Sequence, residues 1–374
     1  MVLVPSTNPF RAIKPIPFAD ELFTLSHNTV MKTSIRGTSG SSKSVPLIRK
    51  ARKKEAVRIE LLSRQLRERL FRIVEEFPTL QDGYIPDFYV EILDISFSID
   101  KIRQTLGSLS GSANLIWQIK REYIGTVWHA SSILATKDLR RAAFGRFESV
   151  IKKLKTRLEY LEVVRKEMRL MPGIDLEQPT LCIAGYPNVG KSSLVNGVTS
   201  ATPEIGAYPF TTKEATVGHL EIPVYASSSH TEPLTHIPCQ IVDTPGILDR
   251  ALDKRNEIEL RALAALKTLA AAIVFIFDFT QQEAINAQLN LYSQIISEFS
   301  DVPLLLLFSK ADLFDQIEKD ALEAFWKENF SSHPFNLVSM NDPANLHALL
   351  VDFFKTNQKQ ITAIMKQQNI PAED

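Results

Sequence analysis

The spacing of apolar and polar positions changes character near residue 173. Before it, apolar residues recur three and four positions apart in several long stretches, which is the pattern of amphipathic helices. After it, short apolar runs such as "TLCIAG", "AAIVFIFD" and "VPLLLLFS" alternate with helical stretches. The first pattern predicts an all-α domain, and the second predicts an α/β domain with a mostly parallel sheet and helices on both faces.

The helical half divides into four amphipathic stretches, which favours an antiparallel four-helix bundle. Pro78 ends the first stretch, and Thr136 is a candidate N-cap for the last. Prolines and the polar run "SIRGTSGSSKS" ahead of the bundle are typical of an extended arm and a flexible loop. We therefore predict the arm and loop at 1–46, the bundle at 47–172, the α/β domain at 173–358 and a polar tail at 359–374.

The stretch "GYPNVGKSSLVN" fits the phosphate-binding pattern GxxxxGK[ST]. It follows an apolar strand and opens a helix, which is the context that this pattern requires. Glycines let backbone N–H groups turn towards phosphates, and the helix N-terminus adds a positive dipole end. Lys191 is expected to contact the β- and γ-phosphates, and Ser192 to bind Mg²⁺. The predicted nucleotide-binding residues of this loop are Gly185, Pro187, Asn188, Val189, Gly190, Lys191, Ser192 and Ser193.

Two further segments predict a site that senses the γ-phosphate. Asp243 opens "DTPG" at the end of a strand, where a carboxylate can bind Mg²⁺, and Gly246 can offer its N–H to the γ-phosphate. Between this segment and the loop lies "YPFTTKEATVGHLE", in which Thr211 and Thr212 are both candidates to reach Mg²⁺, with Thr212 favoured. We assign catalytic roles to Lys191, Thr212 and Gly246.

The segment "SKAD" follows the strand "VPLLLLF" and predicts that the base is guanine. A carboxylate such as Asp312 can accept two hydrogen bonds, from the N1–H and the 2-amino group of guanine, which adenine does not offer. Lys310 can lay its apolar stem along the base, and Ser309 begins the segment. Ser339 and Met340 follow the last predicted strand and would bring backbone N–H groups towards the guanine oxygen. The α/β domain is therefore predicted to be a P-loop GTPase domain that binds GTP or GDP with Mg²⁺.

Formal net charge is zero, but the two halves differ. Residues 1–170 contain 30 Lys and Arg against 18 Asp and Glu, and residues 171–374 contain 13 against 25. A basic half suggests contact with a polyanion, although a helical domain with a solvated Lys/Arg face gives the same count. Trp117, Tyr123 and Trp128 are interpreted as bundle core rather than as base-stacking platforms. The RNA-binding candidates are Arg49, Lys50, Arg52, Lys53, Lys54, Arg140 and Arg141.

No apolar run approaches the roughly 20 residues of a membrane helix, so no membrane partner is expected. The N-terminal segment lacks the features of a signal peptide. Cys182 and Cys239 lie in strand-like runs without metal-site spacing and are interpreted as buried thiols. A cytoplasmic location is the default expectation.

Together these motifs resemble the translation-factor-related GTPases of the Obg-type branch, for which "YPFTT" is characteristic. More narrowly, "RLEYLEVVRKEMRLMPGIDLEQPTLCIAGYPNVGKSSLVN", "DLRRAAFGRF" and "LDKRNEIELRALAAL" resemble the nucleolar GTP-binding protein family (Nog type). The resemblance implies a GTPase in assembly of the large ribosomal subunit. Its implied partners are a large-subunit precursor, ribosomal RNA and ribosomal proteins, and it is expected to be a monomer off the ribosome. Because the chain stops soon after its GTPase domain, it is similar to the compact archaeal form, and a eukaryotic member would be nucleolar.

Departures from the common GTPase pattern leave alternatives open. Ser309 stands where the guanine motif begins with Asn or Thr, and Ile247 stands where Ras-like proteins place a water-orienting Gln. Hydrolysis is therefore expected to be slow without a partner, and a nucleotide-binding scaffold with little turnover is the alternative. A P-loop kinase or ATPase is a third class, disfavoured by Asp312. Asn188 matches a loop asparagine with which some related GTPases hold K⁺, so potassium is a candidate cofactor.

Overall fold

The structure is a computed structural model in which the chain forms two compact units. One unit comprises Ala12–Leu80 and Phe97–Met168, and the other comprises Met1–Arg11, Gln81–Ser96 and Arg169–Asp374. The residues that it describes are 8–35, 46–80, 85, 87–171, 173–175, 178–199, 203–207, 214–224, 235–243, 248–249, 263–264 and 266–368.

In the described part of the chain, six helices precede the first strand. They are α1 (Ala19–Lys32), α2 (Leu47–Glu76), α3 (Asp87–Phe97), α4 (Ile99–His129), α5 (Ile133–Lys152) and α6 (Lys155–Leu170). α3 lies almost wholly in the unit that contains the α/β domain, where the Tyr89 hydroxyl accepts a hydrogen bond from Ile174 N at 2.9 Å. The compact units therefore differ from the predicted division at 47 and 172.

The helical unit is built on the antiparallel pair α2 and α4. Arg52, near the start of α2, donates to the Ala130 carbonyl just beyond α4, with its Nη2 at 2.6 Å, and Arg103, near the start of α4, donates to the Leu80 carbonyl just beyond α2. α5 packs on both helices, and α1 packs on α2 and α5. The apolar stripes seen in the sequence line this core, which includes Ile59, Leu66, Leu109, Ile116 and Phe147.

Several helix predictions are corrected here. Residues Ala19–Lys32 form a helix inside the segment predicted as an extended arm, because Leu22, Ser26 and Val30 share one buried face. α4 joins the end of the second predicted stretch to the third in one helix that includes Gly107 and Gly111. The cost of these glycines, about 1 kcal/mol each, is outweighed by burial of the helix's apolar face.

The last predicted helix of the bundle begins earlier than expected and is divided in two. Ser132, not Thr136, is the N-cap of α5, with its hydroxyl accepting from Ala135 N at 3.1 Å, while Thr136 is buried one turn into the helix. The chain turns at Lys153 before α6 begins. Hydrophobic periodicity does not register such short breaks.

The aromatic residues assigned to the bundle core also need correction. Trp117 is 38% exposed and Trp128 is 41% exposed, while Tyr123 is half-buried. The ring of Trp117 carries the Lys120 ammonium 3.0 Å from its centroid and the Arg67 guanidinium at 5.2 Å. Cation–π contact, rather than burial, accounts for its position on the surface of the helical unit.

The second unit contains the expected α/β fold. Its strands are β1 (Thr180–Gly185), β2 (Glu204–Ala207), β3 (Glu214–Val224), β4 (Thr235–Asp243), β5 (Ala270–Phe277) and β6 (Leu304–Phe308), and they lie in the order β2-β3-β4-β1-β5-β6. β1 is parallel to β4 and β5, and β6 is parallel to β5, whereas β3 pairs antiparallel with β2 and β4. The last predicted strand, which precedes Ser339, is reduced to a single parallel bridge between Leu337 and Phe308.

Four described helices accompany this sheet: α7 (Lys191–Val198), α8 (Ile285–Glu298), α9 (Gln316–Asn329) and α10 (Pro343–Gln368). α10 continues through the predicted polar tail as far as Gln368, and within that tail Ile361 is 4% exposed and packs in the core. Cys182 in β1 and Cys239 in β4 are buried free thiols, as expected, and burial raises the pKa of Cys182 to about 12. No helix of the described residues is long and apolar enough to cross a membrane.

Candidate nucleotide site

The phosphate loop connects β1 to α7 and depends on two glycines. Gly185 ends the wholly buried strand β1 with φ 147°, and a Cβ there would lie 2.5 Å from the Ile276 carbonyl oxygen. Gly190 is the N-cap of α7 with φ 104°, and a Cβ there would lie 3.0 Å from the Met340 side chain. Both positions require glycine, and together they set the curve of the loop over the N-terminus of α7.

Lys191 is held inside this loop. Its ammonium group donates to the Gly185 carbonyl at 2.8 Å and to the Tyr186 carbonyl at 3.1 Å, and the residue is 8% exposed. An ammonium buried near the helix N-terminus and the loop N–H groups forms a strongly positive pocket. This arrangement suits the phosphate contacts predicted for Lys191.

Ser192 and Asp243 lie side by side, as the sequence predicted for a metal site. The Ser192 hydroxyl donates to Asp243 Oδ2 at 2.8 Å, and Asp243 is fully buried at the end of β4. One hydroxyl and one carboxylate fit Mg²⁺, which prefers oxygen ligands and completes its octahedron with waters and phosphate oxygens. Among the described residues no three His, Cys, Asp or Glu side chains form a cluster that could hold a metal ion.

The predicted base-recognition residues form a second group at the same edge of the sheet. Ser339 Oγ donates to Asp312 Oδ1 at 2.8 Å, and Ala311 N donates to the Val338 carbonyl at 3.0 Å. These bonds place the two segments beside each other although they are about 27 residues apart. Asp312 is exposed, so its carboxylate can be approached by a ligand. The Met340 side chain lies against Gly190, and it thereby connects this group to the phosphate loop.

Lys310 takes part in an ion pair that sequence reasoning missed. Its ammonium lies 2.6 Å from Asp278 Oδ2, and its backbone is left-handed with φ 64°. Asp278 is fully buried and also accepts from the Thr280 hydroxyl at 2.6 Å and from Gln281 Nε2 at 2.7 Å. Burial alone would raise the pKa of Asp278, but the bonds from Lys310, Thr280 and Gln281 lower it below its ordinary value. The available signal was an Asp directly after the all-apolar strand β5, beside the strand that carries the loop.

The remaining predicted nucleotide-binding residues differ in exposure and in backbone conformation. Asn188 is exposed with φ 66°, a conformation that asparagine tolerates better than most residues. Val189 is buried in the core below the loop, and Ser193 is exposed on α7. Ser309 is buried, and its hydroxyl donates to the Phe277 carbonyl at 3.4 Å. Thr211, Thr212, Gly246 and Ile247 lie outside the described residues.

The RNA-binding candidates divide into two kinds within the helical unit. Arg140 pairs with Glu55 at 2.7 Å, and both side chains are largely buried, while Arg52 caps the end of α4 as described above. These two arginines are occupied by contacts of the fold. Arg141 is exposed and pairs with Asp138 at 3.3 Å. Exposed positions on the first turns of α2 are held by Arg49, Lys50, Lys53 and Lys54.

Comparison with known proteins places both parts of the chain. Residues 10–175 match the family model described as "NOG1 N-terminal helical domain", and residues 180–310 match the model "50S ribosome-binding GTPase". The helical match begins and ends close to the bounds of the helices seen in the structure. Its combination with a GTPase domain is what separates this chain from P-loop kinases and ATPases.

Individual relatives agree with these models. Nucleolar GTP-binding protein 1 of Caenorhabditis elegans is 34% identical over 84% of this chain and 46% of that protein, and its Arabidopsis thaliana counterpart is 36% identical over 66% and 35%. The chain thus spans less than half the length of these relatives. An uncharacterised protein of Methanocaldococcus jannaschii is 31% identical over 83% of this chain and 82% of its own length. By its two domains and these relatives, the chain belongs to the nucleolar GTP-binding protein 1 family.

Proposed function

We propose that the protein binds GTP and GDP with Mg²⁺ and hydrolyses GTP slowly, as a switch in assembly of the large ribosomal subunit. The nucleotide part rests on one observation. The Ser192–Asp243 pair and the Asp312–Ser339 pair lie at the same edge of the sheet. A phosphate and metal subsite and a guanine subsite lie there together. The ribosomal part is supported by the family to which both domains belong.

Each side chain has a separate task in this proposal. Lys191 neutralises phosphate charge, and Ser192 and Asp243 hold Mg²⁺, which when bound stabilises charge on the β- and γ-phosphate oxygens. Asp312 accepts the two guanine donors, and Ser339 orients its carboxylate. Thr212 and Gly246 keep the γ-phosphate-sensing roles that their sequence positions predict.

Nucleotide binding is tested by titrating the full chain with fluorescent GDP and GTP in Mg²⁺, beside the Lys191→Ala variant. We expect the wild type to bind both nucleotides and the variant to lose binding by at least about a hundredfold, because the phosphate subsite loses its central positive charge. If ATP competed with the same affinity as GTP, the result would favour a P-loop kinase or ATPase. Equal nucleotide binding by the wild type and the variant would show that the phosphate loop is not part of the nucleotide site.

Slow turnover is proposed because Ile247 cannot orient a water molecule. The alternative is a scaffold that binds nucleotide and never hydrolyses it, for which Ser309 and Ile247 are the motivation. Single-turnover hydrolysis of GTP, measured with and without large ribosomal particles, separates the two. Hydrolysis in either condition rejects the scaffold, and its absence in both rejects the enzyme.

The helical unit is proposed to contact ribosomal RNA through the exposed basic residues on the first turns of α2. Ribosomal proteins are the accompanying partners, and the free protein is proposed to be a monomer. Crosslinking of RNA to the protein in its native cell, followed by sequencing, tests this assignment. Enrichment of large-subunit RNA is expected, and a spread over unrelated RNAs in proportion to abundance would oppose it. Such a protein works in the cytoplasm of an archaeon or the nucleolus of a eukaryote.

Potassium is a further proposed cofactor, through Asn188. The left-handed backbone of Asn188 accounts for its residue type without a metal ion, so the proposal depends on a direct comparison. GTP hydrolysis in K⁺ and in Na⁺ at equal ionic strength makes that comparison. A rate that is higher in K⁺ and loses this preference in Asn188→Ala supports the role, and equal wild-type rates reject it.

A further inference from the structure

Within the part of the chain that the structure describes, Ser309, the first residue of the base-recognition segment, forms no hydrogen bond with the phosphate loop. Its backbone N–H donates to the Phe277 carbonyl at 2.9 Å, and its hydroxyl donates to the same oxygen at 3.4 Å. Both bonds therefore end on β5. A serine side chain is too short to carry a hydrogen bond beyond the neighbouring strand. Other side chains among the described residues therefore connect the phosphate and base subsites.

Gln281 lies in the turn after β5 and contacts both sides. Its Nε2 donates to Asp278 Oδ2 at 2.7 Å and to the Pro187 carbonyl of the phosphate loop at 3.4 Å. The same Asp278 oxygen lies 2.6 Å from the Lys310 ammonium. A chain of polar contacts thus runs from the loop through Gln281 and Asp278 to Lys310.

The residues around Asp278 make this series of polar contacts rigid. Asp278 is fully buried, and its backbone N–H and carbonyl are held by the Gln288 side chain at 2.9 Å each. A buried carboxylate that is fixed on every side has one orientation, and it transmits that orientation to the Lys310 head group. Within this series of contacts, Gln281 is the residue that also contacts the phosphate loop.

We propose that Gln281 is a positioning residue that couples the phosphate loop to Lys310 and so sets the spacing of the two subsites for a guanine nucleotide. The inference rests on the proposed function, because it concerns the same nucleotide. A tie between two subsites affects only ligands that occupy both. It leaves a ligand that fills the phosphate subsite alone unchanged.

The test compares GDP with inorganic tripolyphosphate on the full chain, for the wild type and Gln281→Ala. Removing one or two hydrogen bonds lowers GDP affinity by roughly three- to tenfold, and tripolyphosphate affinity stays the same. Gln282→Ala is the matched control, since Gln282 is exposed and its side chain donates within its own turn, to the Phe279 carbonyl at 2.7 Å. This control retains wild-type affinity for both ligands.

A double-mutant cycle with Lys310→Ala tests the route of the coupling. Because Gln281 acts through Lys310, the double variant loses no more GDP affinity than Lys310→Ala alone. Additive losses overturn the proposal, as does unchanged GDP affinity in Gln281→Ala or an equal loss for both ligands. A wild type that binds no GDP overturns the proposed function itself, and the two failures are therefore distinct.

Discussion

The Ser192 hydroxyl donates a hydrogen bond to Asp243 Oδ2 across 2.8 Å, although the two residues are 51 positions apart. They meet because β1 and β4 are parallel neighbours, with Ile183 paired to Asp243. The carboxyl ends of both strands lie at one edge of the sheet, where ligands of open α/β sheets bind. This pairing supports a metal subsite next to the phosphate loop.

Ser192→Ala is expected to remove the contribution of Mg²⁺ to nucleotide binding. Losing one oxygen ligand should lower GDP affinity about tenfold or more in Mg²⁺, and leave it unchanged in excess chelator. Ser192→Thr keeps the hydroxyl and should retain the effect of Mg²⁺. Equal losses with and without Mg²⁺ would show that the serine supports the loop rather than the metal.

Asp312→Asn is expected to change base preference. An amide cannot accept both guanine donors, so GTP affinity should fall by about tenfold to a hundredfold, and xanthosine triphosphate, which carries a carbonyl in place of the 2-amino group, should gain affinity. Competition titrations with both nucleotides measure this change in base preference. Ser339→Ala keeps the carboxylate and serves as the control, with a smaller loss and no gain for xanthosine triphosphate.

Glu162 makes the helical unit sensitive to acid. It accepts from Arg165 Nε and Nη2 at 2.7 Å each and from Ile16 N at 3.0 Å. The hydrogen bonds from Arg165 lower the pKa of Glu162 below its ordinary value of 4.5, burial opposes this, and the Ile16 bond adds to it. A carboxyl whose pKa is lowered on folding stabilises the fold above that ordinary value, and this stability is lost as pH falls through the folded pKa.

Glu162→Gln should therefore reduce the free energy of unfolding by about 1.5 kcal/mol at neutral pH. The difference from the wild type should shrink as pH falls below 4.5. Denaturant titrations of both proteins between neutral pH and pH of about 3 measure it. A difference that stays constant over this range would contradict the assigned role of the carboxylate.

Removing the exposed basic residues of α2 should weaken RNA binding without unfolding the helical unit. The variant changes Arg49, Lys50, Lys53 and Lys54 to Ala, and it should reduce the slope of log affinity against log salt by about 3, as expected for four lost phosphate contacts on single-stranded RNA. A matched variant removes four other basic residues, Lys152, Lys153, Lys155 and Arg157. Equal effects of the two variants would show that net charge, not this surface, governs binding.

Arg140 offers a contrast with those surface residues. Its partner Glu55 is 3% exposed, so Arg140→Ala leaves a buried carboxylate whose remaining ion pair among the described residues is with Arg58. Loss of one member of such a pair costs several kcal/mol of stability. The sequence counted Arg140 and Arg52 with the RNA candidates because charge pattern alone does not distinguish a solvated arginine from one that bonds within the fold.

The sequence by itself determined the division into a helical and an α/β part, the phosphate loop, the position of Asp243 at the end of a strand and the position of Asp312 in the segment after another. Each of these follows from local periodicity or from a short segment whose backbone conformation depends on its own residues, as at Gly185 and Gly190. What the tertiary structure decided are relationships between distant segments. Asp278 became a partner of Lys310 because β5 and β6 pair in parallel, and Ile361 joined the core because α10 packs beside the sheet. Helix α1 packs on α2 and α5, and Glu55 is buried beside Arg140, so both depend on neighbours far along the chain that a short stretch of sequence does not identify.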